Sequence, residues 1–413
     1  MFDELHNDGI DDDRMRLLLA TLEKACDPDI ALSNLVDIIK VMQSQGKDFT
    51  NIIADENSFV RLITVLGVSD EMGKLMRFRP ELVEAAANDA CESHLYNHEQ
   101  RRAHVLKSVG ADPNDHTMPT ASLPLAEAAT ALRKTYRKQL AAIMAQDATA
   151  NDPIEIQPRI STELSDLADA ALEGALAIAR HEVDGSEHVR FAIIGMGKLG
   201  AQELNYVSDV DLIYVVEPAD MDTNGMALSR IGTKMATTLQ RVCQSVIMGV
   251  AEPTLWQIDG GLRPEGKDGP LVRRLESHEA YYEQWAENWE FQALLKARPV
   301  AGDTDLGQAY MDMTRPFVWT ASKRDNFVYD CQQMRKRVED LIPNPLKDRE
   351  IKLGRGGLRD VEFTVQMLQL VHGRSDEALR TSSTLESLQA LAEGGYVSRK
   401  QAKKLHGTTD SNV

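Results

Sequence analysis

Hydrophobic residues in the first part of the chain recur three and four positions apart, which is the spacing of amphipathic α-helices. The segments RLLLATLEKA (16–25) and NLVDIIKVMQ (34–43) show this pattern most clearly, and it continues through residues 58–86. Within that last stretch, Gly67 and Pro80 are expected to break the helices. The N-terminal part is therefore predicted to be a set of helices without strands.

The middle of the chain changes from helical spacing to compact apolar runs. Residues 109–119 are rich in Pro, Asp and Asn, which predicts a linker. Two further helices are expected at about 124–146 and 161–183, separated by the segment NDPIEIQPR. The runs RFAIIG (190–195) and DLIYVVE (211–217) are then typical of buried strands. The segment between these strands fits one turn and a short helix.

A long amphipathic helix and one more strand complete the central region. One face of this helix carries apolar residues at helical spacing: Ile231, Met235, Leu239, Val242 and Val246. Residues 254–264 (TLWQIDGGLRP) alternate like a strand, and the pattern is helical again from Ser277 onward. We therefore expect an α+β fold, mostly helical, with one small sheet. The predicted regions are an N-terminal helical region, a central region with the sheet and a C-terminal helical region: 1–115, 116–275 and 276–413.

The composition of the 413-residue chain fits a globular protein with a strong helical tendency. Hydrophobic residues make up 43% of the sequence and aromatic residues 5%, and Ala, Leu, Met, Glu and Gln are common. The net charge of −18 argues against non-specific binding to nucleic acid or anionic membranes, because both need a basic surface. No signal peptide and no apolar stretch of membrane length is recognised. A soluble, cytoplasmic protein is expected.

Cysteine use and the acidic N-terminus agree with this expectation. Cys26, Cys91, Cys243 and Cys331 are far apart and show no metal-binding spacing. Reduced and mostly buried thiols are therefore expected. The acidic run at residues 11–13 is interpreted as a helix start or a solvated tail rather than a metal site.

Residues 191–217 (FAIIGMGKLGAQELNYVSDVDLIYVVE) carry two competing signals. Gly195, Gly197 and Gly200 have the G-x-G-x-x-G spacing of a dinucleotide-binding turn, and Glu217 could bind a ribose. The helix between the two strands is short for such a unit, however. The chain also offers long helices where a dinucleotide fold needs further strand–helix alternation.

The second signal is the carboxylate pair Asp209 and Asp211, which strand geometry places on the same side. Neighbouring carboxylates repel each other unless a cation lies between them, and Mg²⁺ prefers oxygen ligands. Asp259, on the later strand, supplies a third carboxylate. Such a trio can hold two magnesium ions that stabilise the attacking and leaving oxygens of a displacement at phosphorus. Considered alone, Asp209 beside Ser208 could instead cap a turn.

Nearby residues suit a phosphate group. The turn Gly197-Lys198 offers backbone amides and an ammonium group. Arg263, which follows Asp259 in a Gly-rich loop, has a guanidinium fork suited to phosphate oxygens. Together these parts match nucleotidyl transfer, which depends mostly on positioning and charge neutralisation.

The spacing Gly-Lys, ten residues, Asp-x-Asp resembles the motif of polymerase β-like nucleotidyltransferases, where the first pair is usually Gly-Ser. The lysine form in GMGKLGAQELNYVSDVDLIY is similar to one family, the bifunctional glutamine synthetase adenylyltransferase/adenylyl-removing enzymes. IDGGLRPEGKDGPLV, EAYYEQWAENWEFQALLKARPVAGD and IKLGRGGLRDVEFTVQMLQLVHG resemble further segments of this family, as do the N-terminal helices. The resemblance covers nearly the whole chain and implies a polymerase β-like sheet flanked by helical regions.

The two halves of enzymes in that family catalyse opposite reactions. The N-terminal half removes AMP from a tyrosine of glutamine synthetase by phosphorolysis, giving ADP, and the C-terminal half attaches AMP from ATP. This chain resembles the N-terminal half because its motif follows a long helical lead-in, and its polar end suggests a fragment. The resemblance implies three catalytic Mg²⁺ ligands and three contacts to nucleotide or phosphate: Asp209, Asp211 and Asp259, with Gly197, Lys198 and Arg263.

Two other functions stay open beside the adenylyl-removing one. One is ATP-dependent adenylylation of glutamine synthetase, and the other is a non-catalytic module that docks glutamine synthetase or the PII signalling protein. The chain departs from the family pattern at Gly200-Ala201, where two glycines are frequent, and at Gly260-Gly261, where an arginine is frequent. The second departure would leave Arg263 to supply more of the positive charge.

Further polar residues of the C-terminal region have both structural and functional interpretations. His372 is expected to be a surface or capping residue, and Trp285 and Trp289 are expected to share a helix face. Solvated charges on an amphipathic helix and a functional role are both open for Glu290, Lys296 and Arg298. A phosphate or adenine wall and salt bridges between helices are both open for a second set: Arg355, Arg359, Asp360 and Glu362.

Overall fold

The structure is a computed structural model that describes most of the chain. It covers residues 10–47, 55–87, 96–220, 224–343 and 349–410, the last five by backbone only, together with His6, Phe49, Ile52 and Pro345. These residues form many helices and one five-stranded sheet, which confirms the predicted α+β class. Across the same ranges, no helix combines the length and apolarity needed to cross a membrane.

Five helices form the N-terminal part of the described chain: α1 (Asp12–Leu22), α2 (Pro28–Ser44), α3 (Glu56–Val68), α4 (Asp70–Phe78) and α5 (Pro80–Ala87). The first four begin where a side-chain oxygen accepts a hydrogen bond from a first-turn amide, at Asp11, Asp27, Asp55 and Ser69. The acidic run therefore starts a helix, as predicted. The helix break predicted at Gly67 lies at Ser69 instead. Helix α3 includes Gly67, and Ser69 caps the start of α4.

Three longer helices follow: α6 (His98–Ser108), α7 (Leu125–Ala148) and α8 (Pro153–Glu182). Residues 109–119 between α6 and α7 are irregular, which confirms the predicted linker. Helix α8 begins well before the predicted position, because the Asp152 carboxylate accepts from two first-turn amides and Pro153 suits the first turn. Pro158 thus lies inside a helix rather than in a linker.

The sheet consists of β1 (Val189–Met196), β2 (Val210–Pro218), β3 (Ile258–Asp259), β4 (Val272–Arg273) and β5 (Arg298–Gly302). Strand β1 is antiparallel to both β2 and β5, whereas β3 and β4 pair in parallel with β2. A dinucleotide-binding unit needs parallel neighbouring strands joined by a crossover helix. The antiparallel pairing of β1 with β2 therefore rules out the dinucleotide interpretation.

Strand β5 corrects the prediction of uniformly helical structure after Ser277. Its sequence, RPVAG, is short and contains a proline, so no periodic pattern distinguishes it. Pairing with β1 selects the extended conformation, which is a tertiary effect that local propensity does not contain. The predicted strand at 254–264 is likewise reduced to the two residues of β3. The boundaries of the three predicted regions stay a prediction.

Two helices lie between the strands of the first half of the sheet: α9 (Gly197–Gly200) and α10 (Gly225–Gln244). The predicted face of α10 is buried as far as Val242. Val246 is the exception, because the helix ends at Gln244 and the Val246 side chain is 90% exposed. Among the described cysteines, Cys243 and Cys331 are buried and Cys26 is exposed, and Cys91 lies outside the described residues.

Seven helices complete the described chain: α11 (Leu275–Gln284), α12 (Asn288–Leu294), α13 (Thr304–Thr320), α14 (Phe327–Asp340), α15 (Leu358–His372), α16 (Thr384–Glu393) and α17 (Arg399–Asp410). Trp285 follows the end of α11 and Trp289 lies in α12. The prediction that they share one helix face is therefore wrong. A capping box at Glu287 and Glu290 starts the second helix between them.

Different helices cover the two faces of the sheet. On β2, Leu212 and Tyr214 belong to the core formed with α7, α8 and α10, whereas Ile213 and Val215 belong to the core formed with α11–α14. Successive side chains of a strand alternate between the two faces. Asp211 therefore lies on the face that the C-terminal helices cover.

Candidate active site

The strand register brings two of the three predicted carboxylates together. Asp211 on β2 is paired with Asp259 on the parallel strand β3, so both side chains leave the same face of the sheet. Asp209 lies immediately before β2, two residues from Asp211 and exposed to solvent. Because the charges of both neighbours act on Asp211, the three carboxylates form one negative cluster at this end of β2.

Asp211 is the carboxylate whose environment is most perturbed. Burial raises its pKa, and the negative charges of Asp209 and Asp259 add to this effect, bringing the pKa to about 6. A half-buried cluster of this kind is stabilised by a cation among the carboxylates. The donors are all carboxylate oxygens, which suits a hard divalent ion such as Mg²⁺.

Two glycines of the G-x-G-x-x-G spacing, Gly197 and Gly200, allow the backbone of α9 to pack closely against neighbouring atoms. Gly197 has φ +55°, and a Cβ there would lie 2.6 Å from Oδ2 of Asp211. A Cβ at Gly200 would lie 1.7 Å from the carbonyl oxygen of Lys296. Only glycine permits both approaches. The spacing therefore brings the α9 turn against Asp211 on one side and against the segment before β5 on the other.

Lys198 follows Gly197 in this turn and is half-buried. Burial lowers the pKa of its ammonium group, and the positive charges of Lys352, Lys296 and Arg359 contribute in the same direction, while Glu362 opposes them. Within the described residues, the Lys198 ammonium has no hydrogen-bond or ion-pair partner. Lys198 thus follows the glycine that approaches Asp211, and its ammonium group is available to an anion.

Arg263 holds its own loop together. Its guanidinium donates hydrogen bonds to the carbonyl oxygens of Gly260 (2.7 Å), Lys267 (3.0 Å) and Gly269 (3.1 and 3.2 Å). These bonds brace the turn that follows Asp259. The predicted contact between Arg263 and phosphate stays a prediction, and the carbonyl contacts give the residue a structural task in addition.

Several residues near the site were left open or were missed in the sequence. Lys296 lies 2.8 Å from Glu203 and 2.7 Å from Glu362, and Arg359 lies 3.0 Å from Glu362. Glu203 also accepts a hydrogen bond from the backbone amide of Thr384 at the start of α16. This network joins the α9 turn to the C-terminal helices. Lys296, Arg359 and Glu362 were open candidates in the sequence, whereas no sequence pattern marked Glu203 or Thr384.

The network also decides between interpretations of the other charged candidates. Burial raises the pKa of Glu362, but the charges of Lys296 and Arg359 outweigh this effect and lower it to about 2. Asp360 pairs with Arg335 and Glu290 caps α12, so both have structural partners. The salt-bridge interpretation therefore holds for Asp360 and Glu362. Glu290 is not a solvated charge, because it is buried and accepts hydrogen bonds from the Tyr281 hydroxyl and the Glu287 amide.

A second group of possible metal ligands lies behind the α9 turn. Among the described residues, His98, Asp166 and Asp169 are the one set of three whose ligand atoms all lie within 4.8 Å of one another. Arg298 already pairs with Asp169, with Nη1 2.6 Å and Nη2 3.2 Å from its oxygens. The Arg298 guanidinium therefore already compensates the charge of Asp169 in this group. The oxygens of the three predicted carboxylates, Asp209, Asp211 and Asp259, do not all lie within 4.8 Å of one another.

Two family models match consecutive parts of the chain. Residues 59–313 match the model described as glutamate-ammonia ligase adenylyltransferase. Residues 332–410 match a model described as GlnD PII-uridylyltransferase. The first match contains the three carboxylates and the α9 turn, and the second contains Lys352, Arg359 and Glu362.

Curated proteins with high similarity share one description, bifunctional glutamine synthetase adenylyltransferase/adenylyl-removing enzyme. The chain is 76% identical to the protein of Bifidobacterium longum (strain DJO10A), with 98% of this chain and 38% of that protein aligned. It is 45% identical to the protein of Cutibacterium acnes, with 97% and 40% aligned. It is 44% identical to the protein of Corynebacterium efficiens, with 94% and 39% aligned. The chain thus spans about two-fifths of the length of these relatives.

Proposed function

Because the chain belongs to the glutamate-ammonia ligase adenylyltransferase family, we propose that its carboxylate cluster is a nucleotidyltransferase site acting on glutamine synthetase. The observation that carries this proposal is the pairing of Asp211 with Asp259, with Asp209 two residues away. Three carboxylates at one end of the strands can hold metal ions, and metal-assisted displacement at phosphorus is the reaction that suits them best.

The reaction we propose is removal of AMP from an adenylylated tyrosine by inorganic phosphate. A phosphate oxygen attacks the α-phosphorus, the bond from phosphorus to the tyrosine oxygen breaks, and the phenolate leaves and takes up a proton. The products are ADP and the unmodified tyrosine side chain of the protein substrate. The resemblance of the long helical lead-in to the adenylyl-removing half supports this direction.

The residues of the site would divide the work between cation and anion binding. Asp209, Asp211 and Asp259 would hold Mg²⁺, which would neutralise charge on the transferring group and stabilise the leaving oxygen. Gly197 keeps the backbone close to Asp211, which positions the carboxylate. Lys198, the half-buried lysine that follows Gly197, would attract the incoming phosphate.

A second candidate is ATP-dependent adenylylation of the same protein, because the names of the relatives contain both activities. The match of residues 332–410 to a PII-uridylyltransferase model favours the PII signalling protein as a regulatory partner. A cytoplasmic location would suit all of these partners. A requirement for phosphate or for ATP separates the two reactions.

The test is ADP release from adenylylated glutamine synthetase with Mg²⁺ and phosphate, comparing the parent chain with Asp209→Asn. The exposed Asp29 in α2 supplies a matched control, Asp29→Asn, which removes a carboxylate away from the site. We expect ADP from the parent and the control and a loss of at least about a hundredfold in the Asp209 variant. A folded parent that releases no ADP, or an Asp209 variant as active as the control, would refute the proposal.

A further inference from the structure

Arg298, the first residue of β5, connects the α9 turn to a buried carboxylate of α8. Its Nη1 and Nη2 atoms donate hydrogen bonds to the two oxygens of Asp169, at 2.6 and 3.2 Å. The same guanidinium donates to the carbonyl oxygens of Leu199 (3.0 Å, from Nη2) and Gly200 (3.3 Å, from Nε). Because the Asp169 side chain is only 1% exposed, it needs a cation, and it fixes the position of the guanidinium.

The two carbonyl groups that Arg298 binds lie at the end of a single helical turn. Helix α9 has only four residues, too few to be stable through its own hydrogen bonds. The last carbonyl groups of a helix also lack regular partners within the helix. Arg298 supplies these partners as charge-assisted donors. The conformation of the α9 turn therefore depends on β5 and α8.

The chain leaves the α9 turn through a backbone conformation that is unfavourable for its residue. Gln202 has φ +56°, in the left-handed region that residues other than glycine rarely adopt. Its side-chain amide donates to Oδ1 of Asp166 on α8 at 3.2 Å. The backbone amide of Glu203 then donates to the carbonyl oxygen of Lys198 at 2.8 Å. Two carboxylates of α8 thus fix this segment, one through Arg298 and the other through Gln202.

Arg298 and Asp211 lie on opposite faces of the sheet. Gly195 of β1 is paired with Arg298 on one side and with Leu212 on the other, and Leu212 belongs to the core formed with α8. Asp211, one residue earlier on β2, therefore lies on the other face. Gly197 of the α9 turn approaches Asp211 closely. Arg298 thus acts on the site through the α9 turn.

We propose that Arg298, held by Asp169, is a positioning residue of the reaction, which fixes the α9 turn and thereby holds Lys198 where the incoming phosphate binds. This inference rests on the proposed function. A guanidinium is needed at position 298, because lysine keeps the charge beside Asp169 but cannot donate to the carboxylate and to both carbonyl groups at once. A displacement of about 1 Å in a binding group can lower a rate about a hundredfold.

The first measurement is amide hydrogen exchange of residues 197–204 in the parent, Arg298→Lys and Arg190→Lys. Arg190 supplies the matched control, because it forms another bidentate pair, with Asp303 at 2.7 and 2.9 Å, without contacts to the α9 turn. We expect exchange about tenfold faster in the Arg298 variant, the effect of one hydrogen bond from a charged group. The control should stay within about twofold of the parent.

The second measurement is the kinetics of ADP release. Arg298→Lys should lower kcat/KM for phosphate at least about tenfold and leave the KM for adenylylated glutamine synthetase within about twofold, whereas Arg190→Lys should change neither. In a Lys198→Ala background the same Arg298 substitution should cost less than about threefold, because the group that it positions is absent. Asp169→Asn, which loosens the hold on the guanidinium, is the second variant if Arg298→Lys does not fold.

The outcomes separate this inference from the proposed function. Unchanged exchange in the Arg298 variant, equal acceleration in the Arg190 control, or equal kinetic losses with and without Lys198 would overturn the positioning role in an active chain. Faster exchange in the Arg298 variant alone, in a parent that releases no ADP, would uphold the fixing of the α9 turn and refute only the proposed function.

Discussion

Lys296 and Glu362 form a 2.7 Å ion pair between the segment ahead of β5 and helix α15. The side chain of Lys296 is only 5% exposed and that of Glu362 is 21% exposed, so water screens this pair poorly. Glu203 lies on the other side of the same ammonium, at 2.8 Å. One lysine thus compensates two acids on different parts of the fold.

Replacing Lys296 should therefore destabilise the protein strongly. Lys296→Met leaves Glu203 and Glu362 without their shared cation, and we expect a loss of about 3 kcal/mol in the free energy of unfolding. Urea denaturation measures this loss. The exposed Lys234→Met should stay within about 0.5 kcal/mol of the parent. A loss below about 1 kcal/mol in the Lys296 variant would show that the pair is not the buried connection described here.

Gly197→Ala should damage the site more than the fold. The residue has φ +55°, and the new Cβ would lie 2.6 Å from Oδ2 of Asp211, so the carboxylate must move. We expect a stability cost of about 1–2 kcal/mol and a larger loss of ADP release. Gly225 at the start of α10 is a matched control, because a Cβ there would meet nothing within 4 Å. Retention of full activity by Gly197→Ala would contradict the close approach.

Asp211→Asn should make the metal-free protein more stable. It removes one of three clustered negative charges, and we expect a gain of about 1 kcal/mol in EDTA. With MgCl₂ the parent should gain thermal stability, and the variant should gain much less, because a ligand is missing. Asp29→Asn should follow the parent in both buffers. Equal stabilisation of parent and Asp211 variant by Mg²⁺ would argue against a metal site at these carboxylates.

Arg263→Lys separates a structural role from a phosphate contact. Lysine keeps the charge but cannot reach three carbonyl oxygens at once, so the loop after Asp259 should loosen. We expect a loss of about 2 kcal/mol in unfolding free energy and little change in the KM for phosphate. A raised KM with unchanged stability would instead assign Arg263 to the phosphate.

His278 should make stability fall in mild acid. Burial lowers its pKa to about 3 in the folded protein, with Arg273 contributing, whereas the unfolded value is 6.5. The unfolded chain therefore binds the proton first, and stability falls as the pH decreases from about 6.5 toward 3. Between pH 7 and pH 5, unfolding in urea should show the parent losing about 2 kcal/mol more than His278→Leu. Identical pH dependence of the two proteins would contradict this assignment.

The sequence predicted the part of the site that depends on local spacing. Asp209 and Asp211 are two residues apart next to an apolar strand, so their closeness to each other follows from the spacing alone. The long helices followed from their periodicity and caps. These features need only residues that are close in the chain.

The parts that were missed depend on contacts between distant segments. RPVAG becomes β5 because β1 offers it an edge, and no local pattern marks it. The ion pair of Lys296 with Glu362 joins segments far apart in the chain, and it follows from the packing of the C-terminal helices against the sheet. The carbonyl contacts of Arg263 depend on the path of a loop, which composition does not reveal.

The central position of β1 has a consequence for synthesis on the ribosome. Strand β1 pairs with β2 on one edge and with β5 on the other, and β5 is translated last. Until Gly302 has emerged, the nascent chain carries an apolar strand with one free edge, which is a template for aggregation. A polypeptide released at residue 275 would contain Asp209, Asp211 and Asp259 but would still expose the edge of β1 that β5 covers. We expect such a product to be captured by chaperones or degraded, while a chain that extends past Gly302 covers the edge of β1 with β5.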